Sequence, residues 1–324
     1  MRAALLAWYG RHRRLLPWRA TRDPYRIWLS EIMLQQTRVN AVLGHYRRFL
    51  ERFPDVGTLA RARASSVLTA WSGLGYYRRA RALHAAARVL VRERGGEFPR
   101  TAEGWRTLPG VGRYTAAAIA SIAFGEPEAV LDGNVQRVLS RLRGGHLSPK
   151  EAWGLAAQLL DRERSGDFNQ AMMELGATVC LPGEPECGRC PLARWCRSRG
   201  ALARAPQPAR HQARLAYRLA LRDGAVRLRR RPARASLMPG MWELPAARPT
   251  RAAAHGAGVL LRLRHSITTT DYQVEVRGGA GGAGHGTRWV PRSRLAHLPL
   301  TGLARKILQR AGLLANPMRF DRRN

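Results

Sequence analysis

From Met1 to about Ser198 the apolar residues recur at intervals of three and four. Leu83-Ala86-Ala87-Leu90 and Ile119-Ile122-Ala123 are examples, and this is the period of one helical face. Turn signals punctuate the pattern at Gly73-Leu74-Gly75, Gly95-Gly96, Pro109-Gly110 and Gly144-Gly145. From Leu215 the period shortens to alternation. Tyr217–Leu221, Val226–Leu228 and Tyr272–Val276 read as strands, and Leu303–Arg310 as a closing helix. Gly200 to Ala213, with Pro206 and Pro208 among small and polar residues, reads as a linker. Gly278 to Gly286 is a glycine-rich loop, and no internal repeat interrupts the chain. The pattern predicts an α+β multidomain protein: a helical domain at 1–199, a linker at 200–213, a strand-rich domain at 214–315 and a basic tail at 316–324.

Composition adds a partner class. The 324 residues carry a net charge of +34, which points to a polyanion, with DNA or RNA first and an anionic membrane surface second. Lys150 and Lys306 are the only lysines, so the charge is almost all arginine, whose planar fork suits phosphate. No run approaches the roughly 18 apolar residues of a membrane helix. The apolar patch within Met1–Trp18 is broken by Arg11-His12-Arg13-Arg14, so it does not read as a signal peptide. A cytoplasmic protein is expected.

All four cysteines fall in one stretch, Cys180, Cys187, Cys190 and Cys196, spaced C-x6-C-x2-C-x5-C. Four thiolates this close suit a [4Fe–4S] cluster or zinc. Structural zinc usually takes two short knuckles, and only Cys187 and Cys190 form one, so the cluster is favoured. A disulfide framework fits poorly with a chain that shows no secretory feature.

Two carboxylates stand in unusual settings. Glu31 lies in Trp28–Thr37, which reads as an otherwise uncharged, largely apolar helix, where burial disfavours the charged form and lets the acid hold a proton near neutrality. Asp132 lies in Val130-Leu131-Asp132-Gly133-Asn134-Val135, a context that taken alone suits a helix N-cap better than a catalyst. Together they form the kind of pair that glycosidic chemistry uses, one donating a proton and one stabilising a cationic sugar. Between them, Leu108-Pro109-Gly110-Val111-Gly112-Arg113-Tyr114-Thr115 opens an alanine-rich helix ending near Phe124. Its glycines and the start of that helix make a phosphate seat, a helix–hairpin–helix pattern in which Gly110, Gly112 and Arg113 meet DNA backbone.

These residues resemble the MutY-type adenine DNA glycosylases of the helix–hairpin–helix superfamily, almost continuously from Trp8 to Cys196. The carriers are Leu16-Pro17-Trp18-Arg19, Trp28–Thr37, Gly73-Leu74-Gly75-Tyr76-Tyr77, the hairpin, Leu131–Val135, Phe168–Gly176 and the cysteines. The resemblance implies an all-α glycosylase core whose cluster lobe spans about 176–199. It makes Glu31 the acid that protonates N7 of a flipped adenine, and Asp132 the stabiliser of the sugar, aided by Asn134 and Tyr114. Arg14, Leu16, Trp18 and Arg19 would line the base pocket, while Gln36 and Tyr76 would enter the duplex near the opposing 8-oxoguanine. Endonuclease III-like members carry a nucleophilic lysine where this chain has Tyr114, so monofunctional excision is expected. Within the cysteine stretch, Glu184 and Glu186 stand where the family is often basic.

Pro239-Gly240-Met241-Trp242-Glu243-Leu244-Pro245 and Arg264-His265-Ser266-Ile267 resemble the Nudix-like C-terminal domain of these enzymes, with a helix expected after Pro245. No acidic run follows, so metal-dependent nucleotide hydrolysis is not expected. Thr268 and Thr269 replace the usual lesion-reading residues and would donate equivalent hydrogen bonds. The expected partner is duplex DNA containing A·8-oxoguanine or A·G, met by a monomer in a bacterial nucleoid. The rival readings are a thymine glycosylase acting on T·G and a non-enzymatic mismatch-binding or redox-sensing protein.

Overall fold

The computed structural model describes residues 1–202, 210–247, 258–267, 269–279 and 286–315. Thr268, half of the expected linker, the centre of the glycine-rich loop and the basic tail lie outside the described residues. The chain divides into two compact units, Met1–Ala62 with Arg79–Ala205, and Arg63–Arg78 with Pro206–Asn324. The second unit thus draws on a short stretch of the sequence expected to be purely catalytic domain.

The first unit is helical. Its helices are α1 (Arg2–His12), α2 (Pro24–Leu34), α3 (Val39–Arg52) and α4 (Val56–Arg61). After α5 (Ala64–Ala70), which belongs to the second unit, come α6 (Arg78–Arg94), α7 (Ala102–Arg106) and α8 (Arg113–Phe124). The series closes with α9 (Gly133–Arg143), α10 (Pro149–Leu159) and α11 (Ser165–Thr178). α11 packs against α1, α8 and α9 around Leu139, Ala171, Met172 and Leu175, all buried.

Local chemistry sets the helix ends. Asp23 accepts from the amides of Tyr25 at 2.8 Å and Arg26 at 3.3 Å, and Pro24 occupies the first turn of α2. The helix was expected to run through Thr37, but it stops at Leu34. The Arg79 guanidinium takes the carbonyls of Ile32, Met33 and Gln35 at 2.7, 2.9 and 2.5 Å, and Gln36 turns into the left-handed region at φ 54°. A cation on the last carbonyls replaces the next turn. At the hairpin, Gly110 has φ 75°, and a Cβ there would lie 2.3 Å from that of Ala82. Only glycine satisfies both conditions.

The second unit is built on two sheets. One has the order β5-β1-β7-β6, from β5 (Ala246–Ala247), β1 (His211–Leu219), β7 (Thr270–Gly278) and β6 (Val259–Ile267). The other joins β2 (Leu221–Arg222), β3 (Ala225–Arg230) and β4 (Trp242–Glu243), with β8 (Thr287–Pro291) also on β3. β1 and β7 run parallel, and the remaining pairs are antiparallel. With α12 (Gly302–Arg310) these strands bury Val226, Leu228, Leu244, Val274, Val276 and Ile307.

The strands expected from alternation are present, and one boundary moves. The linker ends before His211, because His211–Ala213 already pair with Thr270–Tyr272. After Pro245, Ala246 and Ala247 form a strand on Tyr217 and Ala216, and the helix expected further on falls at 248–257, outside the described residues. A two-residue strand suits a sheet edge, since it leaves little unpaired backbone exposed.

Candidate active site

Helices α2, α8, α9 and α11 and the Arg14–Arg19 segment enclose a pocket of about 760 Å³ in the first unit. Ten of the expected site residues line it: Arg14, Leu16, Trp18, Arg19, Glu31, Gln36, Gly112, Tyr114, Asp132 and Asn134. Residues far apart in sequence therefore share one volume.

Glu31 is 6% exposed on α2, among the buried Ile27, Trp28 and Ile32. The Tyr114 hydroxyl, from the first turn of α8, donates to its Oε2 at 2.8 Å and lies 3.2 Å from Met173 Sδ. Burial pushes the Glu31 carboxyl up to about 7. The Asp132 charge adds to the rise, while the Tyr114 hydrogen bond and Arg19 oppose it. The Tyr114 phenol is itself driven well up by burial and the nearby carboxylates. A carboxyl that titrates near neutrality exchanges its proton at little cost.

Asp132 caps α9 and also faces the pocket. Its Oδ1 accepts from the Val135 amide at 2.7 Å and its Oδ2 from Asn134 Nδ2 at 3.0 Å. Capping and pocket placement, read from sequence as alternatives, hold together. Burial raises the Asp132 carboxyl, and the Val135 and Asn134 hydrogen bonds and Arg137 counter it. Asn134 is oriented in turn by Arg137, which donates to its Oδ1 at 2.8 Å and to the carbonyls of Gly176 and Cys180 at 2.6 and 2.8 Å. Gly176 permits this approach, since a Cβ there would lie 2.6 Å from that of Asn134.

Glu174 was not singled out from the sequence. It is fully buried on α11 and receives Arg14 Nε and Nη2 at 2.9 and 2.6 Å, the Arg14 amide at 3.0 Å and Arg19 Nη2 at 2.8 Å. Burial alone would raise its carboxyl, but the hydrogen bonds from Arg14 and Arg19 hold it down to about 2. The available signal was the one used for Glu31, a lone acid in an apolar helical run, here Met172-Met173-Glu174-Leu175. Gln170 and Met173 also line the pocket. Asn169 instead ties the approach to Asp132, donating to the Glu128 carbonyl at 2.7 Å and accepting from the Val130 amide at 3.3 Å.

The hairpin divides its glycines by role. Gly110 makes the turn, whereas Gly112 has an ordinary φ of −89°, caps α8 without a side chain and has open space where a Cβ would stand. The Arg113 guanidinium lies 3.8 Å over the Trp153 ring. Tyr76 and Thr269 belong to the second unit. Tyr76 is half-exposed at φ 47°, and Thr269 is exposed in the turn between β6 and β7, its carbonyl accepting from the His211 amide.

All four cysteines line one cavity of about 460 Å³. Buried Arg141, also unforeseen, donates to Cys180 Sγ at 3.2 Å and to the carbonyls of Leu181 and Gly183 at 2.8 and 3.0 Å. Glu186 pairs with Arg189 at 2.7 Å within the lobe. Among the described residues no helix is long and apolar enough to cross a membrane.

Comparison with known proteins gives the class first. Residues 29–157 match the family of HhH-GPD superfamily base excision DNA repair proteins. A solved thermostable thymine-DNA glycosylase is 33% identical at a TM-score of 0.58, covering 61% of this chain and 94% of that one. An endonuclease III–DNA complex, 24% identical at a TM-score of 0.54, shares the fold over 61% of this chain and 94% of its own. The adenine DNA glycosylase of Homo sapiens is 50% identical over 213 residues, 61% of this chain and 39% of that protein. That of Buchnera aphidicola is 40% identical over 199 residues, 60% of this chain and 57% of that protein. The chain belongs to this superfamily of helical base excision repair proteins, and within it is similar to the adenine DNA glycosylases. The matched region spans about half the length of these curated relatives, or less.

Proposed function

We propose that this chain is a monofunctional DNA glycosylase that hydrolyses the N-glycosidic bond of adenine paired with 8-oxoguanine or guanine. The observation that carries the reading is the Glu31–Asp132 pair in one pocket, with the Glu31 carboxyl poised at about 7. Glu31 donates its proton to N7 of the extruded base. The C1′–N9 bond then breaks with its electron pair leaving on the adenine, and the Asp132 carboxylate faces the cationic sugar that remains. Water adds at C1′ and returns a proton to Glu31. Tyr114 holds the Glu31 carboxyl, and Asn134 and the Val135 amide hold Asp132. The apolar Leu16 and Trp18 and the clamped Arg14 and Arg19 form the base-binding wall. Extruding the base costs a few kcal/mol of stacking, which Gln36 and Tyr76 offset by entering the duplex. Both stand in left-handed backbone, φ 54° and 47°, a region that non-glycine residues uncommonly adopt.

The start of α8, with Gly112 open and no side-chain cap, seats a phosphate, and Arg113 reinforces it. Cys180, Cys187, Cys190 and Cys196 hold a [4Fe–4S] cluster. The donor set is four thiols around one cavity. Bound there, the cluster supplies metal–thiolate bonds that brace the lobe; the hydrolysis is assigned to the carboxylates alone. The strand-rich unit acts as a Nudix-like reader of the opposing lesion, with Thr269 in its β6–β7 turn and Thr268 beside it in sequence. The protein works as a monomer on nucleoid DNA in the bacterial cytoplasm.

Duplexes containing A·8-oxoguanine, A·G or T·G test this directly. Free adenine is released from the first two, and the strand stays intact until alkali is added. Thymine release from T·G without adenine release would transfer the assignment to the thymine enzymes, to one of which the chain is 33% identical.

A further inference from the structure

The motif Pro239–Pro245 and the stretch Arg63–Arg78 lie far apart in sequence yet share the second unit. Within it, Trp242 forms a parallel bridge with Leu300. The Trp242 amide donates to the Pro299 carbonyl and the Thr301 amide to the Trp242 carbonyl, both at 2.9 Å. Thr301 in turn caps α12, accepting from the Ala304 amide at 3.2 Å. The Leu300 carbonyl is therefore fixed from both sides by the C-terminal fold.

Two buried hydroxyls meet that carbonyl. Tyr77 Oη donates to it at 2.9 Å and Ser72 Oγ at 3.3 Å; Tyr77 is 4% exposed and Ser72 7%. Arg305 Nε of α12 donates to Ser72 Oγ at 3.0 Å, and Thr69 Oγ1 donates to the His297 carbonyl at 3.1 Å. Between Ser72 and Tyr77 the backbone passes through Gly73 at φ 112°, Gly75 at 74° and Tyr76 at 47°. A turn with two glycines has many conformations available, and Tyr76 stands in a region that bulky side chains rarely adopt. Such a conformation persists only where the surroundings over-determine it. Restraints here include the two flanking hydroxyls and Trp71 Nε1, which donates to the Gly75 carbonyl at 3.1 Å.

We propose that Tyr77 and Ser72 are positioning residues. By donating to the Leu300 carbonyl they make the C-terminal fold set the direction of Tyr76, so that this fold governs duplex insertion as well as lesion reading. The inference rests on the reading that Tyr76 enters the duplex.

The test uses the full chain on a duplex with 2-aminopurine beside an A·8-oxoguanine pair. Fluorescence then reports local unstacking on binding, and single-turnover excision is measured in parallel. Tyr77→Phe keeps the ring and loses the hydroxyl. We expect it to lower both the fluorescence rise and the excision rate by about threefold to tenfold, the range for one buried hydrogen bond. Ser72→Ala does the same more weakly, and Ser72→Thr, which restores a hydroxyl, recovers the wild-type signal. Adding Tyr77→Phe to Tyr76→Ala then changes nothing further, because both act through one side chain. Thermal melts check that each variant is folded, and since Tyr77→Phe leaves Ser72 on the carbonyl, it keeps the test open if a more severe variant unfolds. If Tyr76→Ala lowers the signal while Tyr77→Phe matches wild type or adds independently to it, the positioning role is overturned and insertion stands. If Tyr76→Ala itself is silent, insertion fails and the inference falls with it.

Discussion

Glu31 and Glu174 are the same residue type in nearly the same surroundings, each buried in an apolar helix and each lining one pocket, yet their carboxyls move in opposite directions. Glu31 meets a neutral phenol and a nearby Asp132, and rises to about 7. Glu174 meets two guanidinium groups and is held down to about 2. Burial penalises both charges; the partner decides which way each goes. One end of the pocket therefore keeps an exchangeable proton and the other a permanent anion that fixes two arginines.

The strongest challenge to that contrast removes the proton. Glu31→Gln should slow adenine excision by about 10²–10⁴-fold, the span for a general acid, while duplex affinity persists. Turnover near wild type in a single-turnover assay would strip Glu31 of its role. Asp132→Asn keeps a capping acceptor but loses the charge, and should cost about 10²–10³-fold, as lost electrostatic stabilisation does. Unchanged kinetics would leave Asp132 as a helix cap alone.

Glu174→Gln probes the other end. The bonds from Arg14 and Arg19 weaken, and stability should drop by roughly 2–3 kcal/mol, below the figure for a fully buried pair because Arg14 stays partly exposed. Denaturant melts measure this. For wild type the sign follows from the lowered carboxyl: the Glu174 contribution is whole above the unfolded value of about 4.3 and is lost as pH falls through about 2. A variant as stable as wild type at neutral pH would show that the clamp is dispensable.

The smallest effect is a shift along the pH axis. An acid must be protonated to act, so excision should decline as pH rises through about 7. Tyr114 stabilises the ionised form of Glu31, so Tyr114→Phe should raise that carboxyl further and move the decline to higher pH. A decline displaced to lower pH would mean the hydroxyl serves the protonated form instead.

Much of this was legible in the chain. Helical spacing, the alternation after Leu215 and the grouping of the cysteines are local signals, and the motifs around Glu31, Tyr114 and Asp132 carry their family with them. Glu174 escaped because its meaning depends on Arg14 and Arg19, which sequence separation hides. Arg137 and Arg141 escaped for a related reason: in an arginine-rich chain, the few that orient buried groups look like the many that face solvent. The end of α2 was misplaced because Arg79, not a local capping residue, receives its last carbonyls.

By itself the sequence determined the kind of elements, the residue types able to carry proton transfer and charge stabilisation, and the family to which they belong. Tertiary structure alone decided that Glu174, in similarly apolar surroundings, would be held as an anion. It also assigned Arg63–Arg78 to the strand-rich unit. Both outcomes depend on distances and burial created when remote segments pack, and no local pattern encodes a charge's neighbours.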